Sequence, residues 1–113
     1  MPKTGGGLFA QRTAAILRGQ GAQVVVEQGH ADRLILRIWA ASGIEHVALV
    51  LETSSRVDVP EVRAIHALVK RTNSGGRGYL ISAAGFTERA YQWAAVRPRL
   101  RLVAGDELDE LGV

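Results

Sequence analysis

The stretch His46-Val47-Ala48-Leu49-Val50-Leu51 narrows the choice of fold more than any other part of this chain. It is continuously apolar and β-branched, without the alternation of a strand that has one wet face, so it reads as a central strand buried on both sides. Such a strand needs helices on both faces of its sheet.

The flanking sequence supplies them. Leu8 to Arg18 carries one apolar stripe through Leu8, Phe9, Ala15, Ile16 and Leu17, and Gly19 and Gly21 end that helix. Ala22 to Glu27, with three consecutive valines, reads as a strand, and Gly29-His30 marks a turn. Arg33 to Trp39 alternates Leu34 and Leu36 against Ile35, with Arg37 exposed, and suits a second strand.

Beyond the buried strand, Asp58 is placed as a helix cap and Pro60 and Glu61 fall in the first turn. Val62, Ile65, Leu68 and Val69 form the apolar face, with Lys70 and Arg71 at the helix end. Gly78 to Ser82 reads as a short strand and Phe86 to Ala95 as a helix closed off by Pro98. Arg99 to Val103 reads as a last strand and Asp106 to Leu111 as a helical turn or two.

The expected order is α-β-β-β-α-β-α-β-α. Three early strands with tight turns suggest an antiparallel meander, and the later βαβ unit requires a parallel right-handed crossover. The fold class is therefore α/β, a mixed sheet flanked by helices. Residues 1–7 are expected to be a flexible lead and 8–113 one domain.

Composition removes several function classes. There is no cysteine, which excludes disulfides and thiolate chemistry. No apolar run approaches the roughly 18 residues of a membrane helix, so a cytoplasmic protein is expected. Fourteen Lys and Arg against 11 Asp and Glu give a formal charge of +3, a mild bias toward polyanions. His30, His46 and His66 lack metal-ligand spacing. Gly75-Gly76-Arg77-Gly78 lacks the phosphate-loop pattern and reads as a plain loop. Ser82-Ala83-Ala84-Gly85-Phe86-Thr87 joins a strand to a helix, where amides and Thr87 can bind a phosphate or merely cap. Tyr91 and Trp93 with Arg89, Arg97, Arg99 and Arg101 form a basic, aromatic C-terminal third.

Three segments resemble a known family. Leu8-Phe9-Ala10-Gln11 to Val26 looks like an opening helix, glycine and strand. Val47-Ala48-Leu49-Val50-Leu51-Glu52-Thr53-Ser54, followed by Val57 to Val62, looks like a catalytic strand and its helix. Gly78-Tyr79-Leu80-Ile81-Ser82-Ala83-Ala84-Gly85-Phe86-Thr87-Glu88-Arg89-Ala90 is similar to a signature strand-to-helix junction. Together they resemble the Mrr-type branch of the PD-(D/E)xK nuclease superfamily, which implies a restriction-endonuclease-like fold.

That resemblance implies a metal-dependent phosphodiesterase site, with carboxylates holding Mg²⁺ or Mn²⁺ and a lysine beside the reacting phosphate. Glu52 matches the strand carboxylate. Asp32 is the candidate for the second metal-binding aspartate, with Leu34 as the alternative at that position. Ala10 stands where the helix glutamate belongs, and Ser54 replaces the lysine. Arg56 or Arg63 is the candidate substitute cation, and Lys70 a poorer one.

Three readings follow. The first is a DNA-binding or DNA-processing pseudoenzyme that meets double-stranded DNA through Arg56, Arg63, Thr87, Arg89, Arg97, Arg99 and Arg101. The second is an active endonuclease built on Asp32, Glu52 and Arg56 or Arg63. The third is a non-catalytic, dimerising interaction domain. A homodimer is expected in the first as well.

Overall fold

The apolar segments of the sequence become five strands of one sheet in the computed structural model, which describes residues 8–29, 33–72 and 75–111. In chain order the elements are α1 (Leu8–Gly19), β1 (Gln23–Gly29), β2 (Arg33–Trp39), β3 (Glu45–Leu51), α2 (Val59–Thr72), β4 (Gly78–Ser82), α3 (Glu88–Ala95) and β5 (Leu100–Ala104). A 3-10 helix, Gly105–Glu110, closes the described chain where an α-helical turn was expected. The turn placed at Gly29-His30 and the aspartate at Asp32 fall partly or wholly outside the described residues.

The strands lie in sequence order, β1-β2-β3-β4-β5. β1, β2 and β3 form the expected antiparallel meander, and β4 and β5 continue the sheet in parallel with β3. A bulge between Val26 and Gln28 leaves Glu27 without a register partner. Its carboxylate meets Arg37 Nε at 2.5 Å, and Arg37 Nη1 reaches Glu45 at 2.9 Å. Arg37 thus pins the three meander strands together from one face.

Alternation sorts the strand residues between two cores. Leu34, Leu36, Ile38, Ala48, Val50, Tyr79, Ile81 and Val103 pack against α1 and the 3-10 helix, where Leu17 and Leu108 are fully buried. Val47, Leu49, Leu51 and Leu80 pack against α2 and α3 through Val62, Ile65, Val69 and Ala90. β3 is buried along both faces, as its unbroken apolar run requires. Gly78 is the contact that lets α2 sit down on β4, because a Cβ there would collide with Val69.

α3 begins two residues later than the apolar pattern suggests. Thr87 is its N-cap, with an oxygen accepting from Ala90 N at 3.2 Å, and Gly85 before it turns the chain at φ 86°. Phe86 belongs instead to a short parallel bridge with Val57, which ties the loop after β3 to the loop after β4.

Candidate functional site

Parallel pairing brings the carboxyl ends of β3, β4 and β5 to one edge of the sheet. The antiparallel partner of β3 starts at the same edge, with Arg33 opposite Leu51. Open α/β sheets bind ligands at such an edge, where loops replace strands and helix N-termini point outward.

Glu52 follows the last residue of β3 and falls on the α1 face, in step with Ala48 and Val50. Its Oε1 accepts a hydrogen bond from the backbone N–H of Ala10 at 2.7 Å. Ala10 is in the first turn of α1, a turn that has no acidic residue of its own. The free amides and positive dipole of a helix N-terminus favour a carboxylate. Here Glu52 supplies it from 42 residues away.

Ser54 is exposed in the bend that follows, and Thr53 Oγ1 donates to Ser55 O at 3.0 Å within that bend. On the other side of the strand end, Arg33, Thr53, Ser55, Arg56 and Glu61 line a cavity of about 360 Å³, floored by Leu51 and Val57. Arg56 also lines an adjoining cavity of about 580 Å³, with Gly85, Glu88, Tyr91 and Asp106. Burial, reinforced by Glu107 and Asp106, holds the Tyr91 phenol above its ordinary pKa, and Arg56 opposes that shift.

Asp32 lies outside the described residues, so its position relative to Glu52 is not described. Among the described residues no group of three or more His, Asp and Glu stands together to hold a metal ion. Magnesium wants near-octahedral oxygen ligation. The described part of the site offers Glu52, whose Oε1 accepts from a helix amide.

The remaining basic residues divide into separate places. Arg63, Arg89 and Arg97 line one groove between α2 and α3, together with Trp93. The Thr87 hydroxyl donates to Asp58 Oδ1 at 2.8 Å while its oxygen caps α3. The Val59 amide first, then the Thr87 hydroxyl and the Arg89 charge, hold the Asp58 carboxyl below its usual range. Arg99 precedes β5 and reaches back to Gly76 O at 2.9 Å, in the loop before β4, and to Val69 O at 3.3 Å, in the last turn of α2. Arg101 is exposed on β5 and shares the α1 face with Val103. Arg97, Arg99 and Arg101 thus lie in three separate places.

Arg33 was not among the residues singled out from sequence. Its place at the edge follows only from the β2–β3 register. The anchoring of Glu52 has one sequence trace, the absence of any acid in the first turn of α1.

The comparisons agree with this topology. The restriction endonuclease family model of the Mrr catalytic type matches residues 3–112. The chain matches no curated protein. Among solved structures, AF1548, a protein of unknown function, aligns with a TM-score of 0.64 at 16% identity, over 87% of this chain and 58% of that one. The DNA modification-dependent restriction endonuclease AspBHI aligns at 0.55 and 19% identity, over 89% and 30% of the two chains. The MspJI restriction endonuclease, solved in complex with a 27-mer oligonucleotide, aligns at 0.52 and 22% identity, over 90% and 26%. The chain thus spans 58% or less of these proteins, and the likeness is one of fold. With the family model covering nearly all of its length, and with a mixed sheet of the restriction-endonuclease-like kind, the chain belongs to the Mrr restriction endonuclease family.

Proposed function

We propose that this chain is a duplex-DNA-binding domain that has kept the endonuclease fold and lost phosphodiester cleavage. The observation that carries it is Ser54, exposed in the bend after β3 where the resemblance calls for a lysine, beside a Glu52 whose Oε1 accepts from Ala10 N. Nucleases of this superfamily generally use Mg²⁺ or Mn²⁺, and Asp32 with Glu52 would be the relic of that site. Ser54 brings no charge to a developing phosphorane, and loss of such stabilisation typically costs on the order of hundredfold in rate. Arg56, the candidate substitute cation, lines a cavity with Leu51 and Thr53, on the strand face opposite to that of Glu52.

DNA contact at this edge is assigned to Arg33 and Arg56, whose guanidiniums flank a cavity provided with the Thr53 and Ser55 hydroxyls. Arg99 and Thr87 support it by fixing α2 and α3. Salt titration of duplex binding tests the reading. Affinity is expected to fall steeply with salt, and Arg33→Gln/Arg56→Gln to flatten the slope of log K against log salt by about 2. Absence of binding at low salt contradicts it and leaves a protein-interaction domain.

The same reading includes a homodimer formed in the cytoplasm. It is supported by β1, an edge strand whose Val25 and Val26 are each 49% exposed. Sedimentation of the wild type against Val25→Lys is expected to show a dimer converted to monomer; a monomeric wild type contradicts it.

A further inference from the structure

α2 and α3 are the crossover helices of the parallel strands, and they pack on the same face of the sheet. Between them runs a groove of about 610 Å³, lined by Asp58, Arg63, Arg89, Trp93, Val96 and Arg97 among others. Three guanidiniums share it with one carboxylate. That carboxylate is already engaged by the Thr87 hydroxyl and the Val59 amide. Among the described residues no Asp or Glu forms an ion pair with Arg63, Arg89 or Arg97.

Like charges crowded around one trough repel each other in the free protein, and a polyanion relieves that repulsion. His66, edge-on to Trp93 at 5.5 Å, sits in the same field. Its pKa is lowered by burial first and then by Lys70, Arg97 and Arg99.

Trp93 decides which polyanion fits. Stacking a base needs an open aromatic face. Arg97 lies on this ring with Cζ 3.3 Å from the centroid, held there by Nη1 donating to Trp93 O at 2.6 Å. Arg63 Cζ stands 6.0 Å from the same centroid, and His66 covers an edge. The ring is occupied by cations and offers bases little.

We infer that the groove between α2 and α3 binds the phosphate backbone of a nucleic-acid duplex through Arg63, Arg89 and Arg97, without stacking on its bases. This rests on the DNA-binding reading and extends it, because the groove begins at Asp58 and Pro60, close in sequence to Arg56 at the strand edge. Recognition of this kind is driven by charge and shape and is indifferent to base sequence.

The test compares the full chain with Arg63→Gln/Arg89→Gln and with Arg33→Gln/Arg56→Gln, using a fluorescent duplex of arbitrary sequence across a salt series. Arg63 and Arg89 are exposed, so the variant is expected to fold, which circular dichroism checks. The groove variant is expected to lower the salt slope by about 2 and to weaken binding roughly 10- to 100-fold at 0.1 M salt. Duplex addition is expected to change Trp93 emission in a Trp39→Phe background, and a matching single strand to bind no tighter than the duplex.

An unchanged slope for the groove variant, with a reduced one for the strand-edge variant, overturns the groove inference and leaves the DNA-binding reading standing. A wild type that binds no duplex overturns both. Tighter binding of the single strand with strong Trp93 quenching replaces phosphate contact by stacking and overturns the inference. So does a groove variant that loses affinity for polyglutamate alone, which makes the partner an acidic protein segment.

Discussion

Glu52 does at the residue scale what an acidic residue in the first turn of α1 would otherwise do. A hydrogen bond between a carboxylate and a helix N-terminal amide contributes about 1–2 kcal/mol, part of it from the dipole. Glu52→Ala is therefore expected to destabilise the fold by about 1–2 kcal/mol, with faster amide exchange at Ala10. Glu52→Gln, which keeps an acceptor oxygen, is expected to lose less. Urea unfolding measures the first effect and hydrogen exchange the second. His46 gives a pH prediction of definite sign. It is buried, its Nδ1 accepts from Arg77 N at 2.9 Å, and its ring meets Tyr79 edge-on. Burial first, and then the Arg77 charge, lower its pKa, so the neutral ring is the form that suits the fold. Between that lowered value and the ordinary value near 6.5, the unfolded chain binds more protons. Stability from this group is complete above about pH 6.5 and is lost as pH falls through the folded value. His66 acts in the same direction. The urea midpoint is expected to fall between pH 7.5 and 5.5, and to fall less in His46→Leu.

At the scale of elements, the sequence was readable wherever hydrophobic period and breakers agreed. β2 and β4 occupy the residues their patterns mark, because each is bounded by turn residues and buried on a definite face. Boundaries moved where a side-chain contact chose between neighbouring residues. α3 starts after Thr87 because that hydroxyl both caps Ala90 N and binds Asp58. β1 runs on to Gly29 because a bulge absorbs Glu27. Arg99 stands outside β5 and turns back to α2. Thr87→Ala removes the cap and the partner of Asp58 together. It is expected to cost about 1–2 kcal/mol in urea unfolding, whereas Thr87→Ser is expected to keep most of the stability.

Over the whole molecule, the mixed sheet with helices on both faces was legible because β3 had to be covered twice. The site was legible only as a set of residue types. Ala10 and Glu52 are 42 residues apart, and the missing acid in the first turn of α1 says that a partner is wanted but not which one. The placement of Arg33 likewise waits on a strand register, and the convergence of Arg63, Arg89 and Arg97 on the packing of two helices. What results is a domain with its strand carboxylate turned toward α1 and with Arg63, Arg89 and Arg97 converging between α2 and α3 on the far face. Cleavage of supercoiled plasmid by the purified chain, with Mg²⁺ or Mn²⁺ and at protein concentrations where the duplex is bound, tests the loss of chemistry most directly. The expected result is bound but intact plasmid, for the wild type and for Glu52→Ala alike. Nicking by the wild type that disappears in Glu52→Ala would contradict it.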